Sequence, residues 1–317
     1  MIIENLISFG GLTKYTNENI LLREKQIKDN VIIHTCNDYE NSIEVIRDAK
    51  KNNEQVSIIL KVYFNYPDKF HKRNRPMTHQ IEEAIKRLGF IPNEFIIQFC
   101  CFINFKIFKK DFFIKFLKTL NQKYGIKKIY FEYYSVYGYD LKLINDLNEV
   151  FRDIIIFGVT GYFNFFNRVF LEKELNDIKK YKIPFVPIGI LGKNQKRDIS
   201  HDLNKLEKFS SLDHIDLNLI FFMKVIKDIP FSFGITETSN LSNYKNLKRR
   251  IKNIQSSDFD IIFNYETYFN QQMINYIKND QYGGRYFFVD YLKDPKIPLS
   301  QLKKYFLNHK SPKYYLK

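Results

Sequence analysis

Short apolar, β-branched runs alternate along the chain with longer segments in which apolar residues recur every three or four positions. This is the trace that repeated strand-helix units leave in a sequence. Eight runs read as strands, over residues 6–10, 31–35, 56–61, 95–102, 127–133, 154–159, 184–189 and 231–235. Each is followed by a segment able to form a helix. In 42–51, Ile43, Ile46 and Ala49 fall on one face, and Ile81, Ala84, Ile85 and Leu88 do so in the next unit. Segments 111–124, 141–151 and 170–180 repeat the pattern. The seventh connection is longer, with a polar loop to near Ser211 and then a helix through Phe221, Phe222 and Val225, and the eighth helix covers 241–254. No Pro/Gly/Ser linker interrupts the series before about Ser256, so the pattern predicts an α/β chain folded as a (β/α)8 TIM barrel over residues 1–255. Residues 256–317 then form a C-terminal extension, packed on the barrel or over its mouth.

Composition agrees with one large unit. A chain of 317 residues suits a single barrel, and 31 Phe with 22 Tyr in a 44% apolar chain can fill its core. No apolar stretch reaches the ~18 residues that span a bilayer, and no basic segment precedes the apolar start, so a soluble cytoplasmic protein without a membrane partner is expected. Cys36, Cys100 and Cys101 lack metal-type spacing, which argues against a disulfide scaffold or a bound metal. The formal charge of +15 is carried by dispersed residues, mostly Lys, in a chain rich in Asn, Ile, Phe and Tyr. Dispersed charge disfavours nucleic acid and fits a small, anionic substrate better. His71, Lys72, Arg73 and Arg75, in the loop after the third strand, read equally as an anion site or a solvated loop.

The densest chemistry lies in His34-Thr35-Cys36-Asn37-Asp38-Tyr39-Glu40-Asn41-Ser42, with Lys61 at the end of the apolar run Val56-Ser57-Ile58-Ile59-Leu60. Its order is strand, loop, helix, strand, lysine. It resembles the aldo/keto reductases, in which a strand ends Asp-Thr-Ala, a Tyr-Gly follows in the loop, a Ser-Glu opens a helix, and the next strand ends in Lys. Further segments are similar to that family in the same order. They are Ser8-Phe9-Gly10-Gly11 at the first strand, Phe163-Asn164-Phe165-Phe166-Asn167-Arg168 after the sixth, and the seventh strand with Ile190-Leu191-Gly192. Last comes Gly234-Ile235-Thr236-Glu237-Thr238-Ser239-Asn240-Leu241 at the eighth. The likeness spans about residues 6–254.

The resemblance implies an NADP- or NAD-dependent oxidoreductase acting on a carbonyl or sugar-like small molecule. Tyr39 would protonate the carbonyl oxygen as hydride arrives, and Lys61 would stabilise the resulting phenolate. Gly10, Gly11, Leu191, Gly192, Gly234, Thr236, Thr238 and Ser239 fall at the cofactor contacts. The Thr/Ser hydroxyls before the eighth helix read equally as a helix cap.

Several family positions are replaced. The Asp that pairs with the lysine is His34, and the His that orients the carbonyl falls on Phe102. The fifth strand ends Tyr130-Phe131-Glu132-Tyr133 instead of offering Ser-Asn to the nicotinamide. The expected Gln falls near Thr160 and the ring-stacking Tyr on Ile188. One lost donor commonly costs about 10² to 10³ in rate. Two other readings therefore stay open: a barrel without hydride transfer that binds or scaffolds, and a cofactor-free lyase or isomerase with His34 as base. His34 reads as that base or as a polar core residue bonded to Lys61. Cys100 and Cys101 read as packing residues.

Overall fold

The structure is a computed structural model, which describes residues 7–9, 16–29, 31–51, 56–64, 76–99, 110–133, 140–164, 172–191, 214–230, 232–236, 238 and 240–259. Within these residues eight parallel strands close into a barrel in sequence order. They are β1 (Ile7–Phe9), β2 (Ile33–Cys36), β3 (Ile58–Phe64), β4 (Glu94–Phe99), β5 (Lys128–Tyr133), β6 (Ile156–Tyr162), β7 (Phe185–Ile188) and β8 (Gly234–Thr236). Helices α1 (Asn17–Lys28), α2 (Ser42–Lys50), α3 (Met77–Leu88), α4 (Lys110–Tyr124), α5 (Leu141–Val150), α6 (Glu172–Lys180), α7 (His214–Ile226) and α8 (Leu241–Asn253) alternate with them. The expected (β/α)8 architecture is the one observed.

Strand pleating divides the core in two. One set of side chains, including Ile33, Leu60, Val62, Phe95, Ile97, Phe131 and Phe157, packs against the helices. The alternate set, Ile59, Ile96, Tyr130, Val186, Phe233 and Ile235, fills the barrel interior. Gly158 makes room there, because a Cβ would lie 2.6 Å from the Pro184 carbonyl oxygen and 2.8 Å from the Tyr130 ring. The large Tyr130 ring can cross the interior only beside a residue without a side chain.

Two boundaries depart from the sequence reading in a way that matters. β3 does not stop at Lys61 but runs on to Phe64, and β6 continues to Tyr162. Lys61 is therefore a mid-strand residue on the interior face, where a charge must find a partner. Beyond α8, Ser256–Asp258 forms one 3-10 turn and Phe259 packs against the helix-side core. The remainder of the expected C-terminal extension lies outside the described residues. Among the described residues no helix is long and apolar enough to cross a membrane.

Candidate active site

Parallel pairing brings Cys36 beside Lys61, Lys61 beside Ile96, Tyr63 beside Gln98, and Gln98 beside Glu132. Thr160 is the partner of Glu132 on β6. Apart from Ile96, itself one of the interior apolar set, these residues share that set's parity and form a polar layer above it, at the C-terminal end of the barrel. That end is where barrels of this kind carry their chemistry.

Lys61 and Glu132 are the centre of this layer. The Lys61 Nζ lies 2.9 Å from Glu132 Oε2, with the two side chains 12% and 0% exposed. Burial is the largest single influence and works against the ammonium, but the Glu132 carboxylate, Tyr39 and Cys36 together outweigh it. Lys61 is thus held charged, with its pKa above the ordinary lysine value. The ammonium also sits 5.8 Å from the centre of the Tyr63 ring.

Tyr39 stands on the short connection between β2 and α2 and is half-buried. Its N–H donates to the Cys36 carbonyl at 3.1 Å and its carbonyl accepts from the Ser42 N–H at 3.3 Å. A hydrogen bond between the Thr35 and Ser42 hydroxyls, 3.1 Å, ties the strand end to the helix start. The loop is consequently a compact turn, with Tyr39 close enough to Lys61 to feel its charge. The structure brings together the sequence-predicted Tyr39 and Lys61.

His34 enters the same region as a buried polar core residue, but without the expected bond to Lys61. Its buried ring meets the Tyr39 ring edge-on, with centroids 5.9 Å apart. Burial, then the charges of Lys61 and Arg23, push its pKa down to about 3. No hydrogen bond joins it to Lys61, whose partner is Glu132, and Nε2 has no hydrogen-bond partner among the described residues. A conjugate acid that strong leaves a weak base at neutral pH, so His34 is suited to contact the Tyr39 ring and poorly suited to abstract a proton. Cys36 is equally quiet: its Sγ lies 3.5 Å from the Tyr63 hydroxyl and burial raises its pKa.

The residues expected at a nucleotide fall into three groups. Gly10, Gly11, Gly192 and Ser239 lie outside the described residues, as do Phe102 and the 71–75 loop. Leu191 and Gly234 meet the helix layer. Leu191 packs on the helix-side core and its carbonyl accepts from Asn218 at 3.2 Å, while a Cβ at Gly234 would lie 2.8 Å from both Ile190 and Phe222. Packing alone therefore favours glycine at 234, since a larger residue would have to displace the Ile190 and Phe222 side chains. Thr236 and Thr238 are buried just ahead of α8, and the Thr238 hydroxyl reaches the Asn240 carbonyl at 3.5 Å. Asn240, rather than Ser or Thr, caps the helix by accepting from the Asn243 N–H at 2.8 Å.

Glu132 is the member of this layer that the sequence reading left without a role. Its signal was a single carboxylate inside the apolar strand Ile129-Tyr130-Phe131-Glu132, since a buried charge calls for an opposite one. Thr160, at the neighbouring position, donates its hydroxyl to the Val186 carbonyl at 2.5 Å.

A polar layer with a buried lysine and a loop tyrosine, at the C-terminal end of a (β/α)8 barrel, defines a class of fold and site. Neither a protein-family model nor a curated protein matches the chain. Among solved structures, it is similar to an aldo-keto reductase from Klebsiella pneumoniae in complex with NADPH. That likeness has 13% identity, covers 81% of this chain and 89% of that one, and gives a TM-score of 0.57. It is similar too to an aldo/keto reductase from Klebsiella pneumoniae in complex with NADP and acetate, at 14% identity, 80% and 88% coverage and a TM-score of 0.56. The chain has the fold of the aldo-keto reductases.

Proposed function

We propose that the protein is an NAD(P)-dependent oxidoreductase that reduces the carbonyl of a small molecule at the barrel mouth, with Tyr39 as proton donor. The observation that carries this reading is the buried ammonium of Lys61, paired with Glu132 and within electrostatic reach of Tyr39. An ammonium beside a phenol favours the phenolate, which is the species left when a tyrosine gives up its proton. Glu132, reaching in from β5, takes over the counter-ion role that the resemblance gives to an Asp at position 34. A lysine kept as ammonium is also a poor nucleophile, which argues against imine chemistry at Lys61.

The donor set fits a nicotinamide dinucleotide at its phosphate end. Buried Thr236 and Thr238 precede the N-terminus of α8, a 13-residue helix whose end carries partial positive charge. Ile188, facing inward from β7, would give the nicotinamide ring an apolar surface. When bound, the reduced cofactor supplies hydride. Tyr39 holds the proton at its phenolic oxygen, Lys61 stabilises the charge left there, and the apolar interior beneath them excludes water.

One observation favours a second reading, a barrel that binds without hydride transfer. At the two positions where nicotinamide contacts are expected, the Glu132 carboxylate and the Thr160 hydroxyl are engaged within the barrel. Titration with NADPH and NADH, followed by nicotinamide fluorescence and thermal stability, separates the two readings, because a ligand specific for the folded state raises apparent stability. The oxidoreductase reading expects saturable binding that Lys61→Met weakens. No binding at millimolar nucleotide would remove that reading and leave the binding barrel.

A further inference from the structure

The loop that carries Tyr39 is held from outside the site by a side chain of a different βα unit. Arg87, near the end of α3, lies half-buried against α2, and its guanidinium makes four hydrogen bonds. Nε donates to Glu44 Oε1 at 2.8 Å and Nη2 to Glu44 Oε2 at 3.0 Å. Nη1 donates to the Asn37 carbonyl at 3.0 Å and Nη2 also to the Glu40 carbonyl at 2.9 Å. The two carbonyls flank Tyr39 on either side. A planar fork can fix two carbonyls and a carboxylate together, which a point charge cannot do.

A second contact from α3 acts on the same loop. The Asn37 side chain donates to the Gln80 carbonyl at 2.6 Å. The Gln80 side chain in turn accepts from the Tyr63 N–H at 2.9 Å and donates to the Tyr63 carbonyl at 3.0 Å. Gln80 thus ties the Tyr39 loop to β3, two residues beyond Lys61. The loop and the strand that bear the two reacting groups share one anchor, α3.

We propose that Arg87 is a positioning residue for Tyr39, acting as a strut that fixes the 37–40 backbone so that the tyrosine hydroxyl is held against Lys61. The inference rests on Tyr39 being the proton donor. It goes further in assigning the precision of that donor to a side chain that touches neither substrate nor cofactor. Misplacing a reacting group by about 1 Å can cost roughly 10²-fold in rate, so loss of the strut should appear in turnover.

The full chain and its Arg87→Met, Arg87→Lys, Glu44→Gln and Tyr39→Phe variants would be compared by three measurements. These are NADPH affinity by fluorescence, kcat for NADPH-dependent reduction of 4-nitrobenzaldehyde, and amide hydrogen exchange of residues 37–42. Arg87→Met should speed exchange of 37–42 by about tenfold or more while leaving β5 unchanged. It should lower kcat by roughly 10- to 100-fold and keep NADPH affinity within about twofold. Arg87→Lys should fall between, because its ammonium cannot make the fork, and Tyr39→Phe should lose turnover with little change in exchange. Exchange and kcat of Arg87→Met both at the wild-type level would overturn the proposal. If wild type neither binds NADPH nor turns over, the oxidoreductase reading falls, and exchange alone then decides whether Arg87 orders the loop. Should Arg87→Met fail to fold, Glu44→Gln carries the same comparison with a smaller expected rise in exchange, and no rise there would count against the strut.

Discussion

Among the described residues the barrel strands hold two lysine-carboxylate pairs, one at each end, and they differ in almost every respect that bears on chemistry. At the N-terminal end Lys128 of β5 meets Glu94 of β4 at 2.8 Å; the two are directly paired neighbours in the sheet. The lysine side chain is 30% exposed, and the Tyr130 hydroxyl lies 3.3 Å from the same carboxylate. Burial, and then Glu94, push the Tyr130 pKa well above its usual value, so this phenol keeps its proton. At the C-terminal end Lys61 reaches across β4 to Glu132, the lysine side chain is only 12% exposed and the carboxylate is fully buried, and the phenol nearby is on the ammonium side of the pair. The same three groups, arranged with tyrosine next to the anion or next to the cation, give a locked proton at one end and, on the proposed function, would give a transferable one at the other.

The largest test of this contrast is removal of each cation. Lys61→Met removes the ammonium that pairs with the buried Glu132 carboxylate and should cost about 3–5 kcal/mol in urea unfolding, most of it recovered in the Lys61→Met/Glu132→Gln double variant. A loss below about 1 kcal/mol would mean that the upper pair is not desolvated as the contrast requires. Next in size is an acid effect centred on His34. Its folded pKa, about 3, lies below the ordinary histidine value, so the unfolded chain binds a proton that the folded chain refuses. The stability this withholds is present above about pH 6.5 and is lost as pH falls toward 3, at up to about 1.4 kcal/mol per pH unit. From pH 6.5 to 5 wild type should therefore lose about 2 kcal/mol more than His34→Met, and parallel curves would show that His34 is not buried neutral. Smallest is Lys128→Met, expected to cost about 1 kcal/mol or less because the ammonium is partly solvated, and to leave nucleotide affinity unchanged. Equal losses for Lys61→Met and Lys128→Met would erase the distinction between the two ends.

What the sequence made legible follows from how far each interaction reaches along the chain. Strand positions were readable because Val, Ile and Phe runs bury on both faces of a parallel barrel, and the amphipathic helices 42–51 and 241–254 were readable from their spacing. The true end of β3 was not, because Lys61 looks like the close of an apolar run until the interior face proves polar at its upper rim. Tyr39 and Lys61 could be named because their motif is nearly continuous. Their supporting residues could not. Glu132 joins Lys61 only once strand register brings β5 around the barrel, and Arg87 meets Asn37 from 50 residues away. Surface arginines are common, and nothing in the local sequence of α3 distinguishes one that grips two carbonyls.

Closure of the sheet has a further consequence for a chain with 31 Phe and 17% aromatic residues. Such a sequence is rich in segments that would add readily to an exposed strand of another molecule. Pairing of Ile7 with Gly234 and of Phe9 with Thr236 joins β1 to β8, so that each strand has a neighbour on both sides. The short seam between the first and last strands thus abolishes both sheet edges at once, and with them the backbone template for intermolecular aggregation.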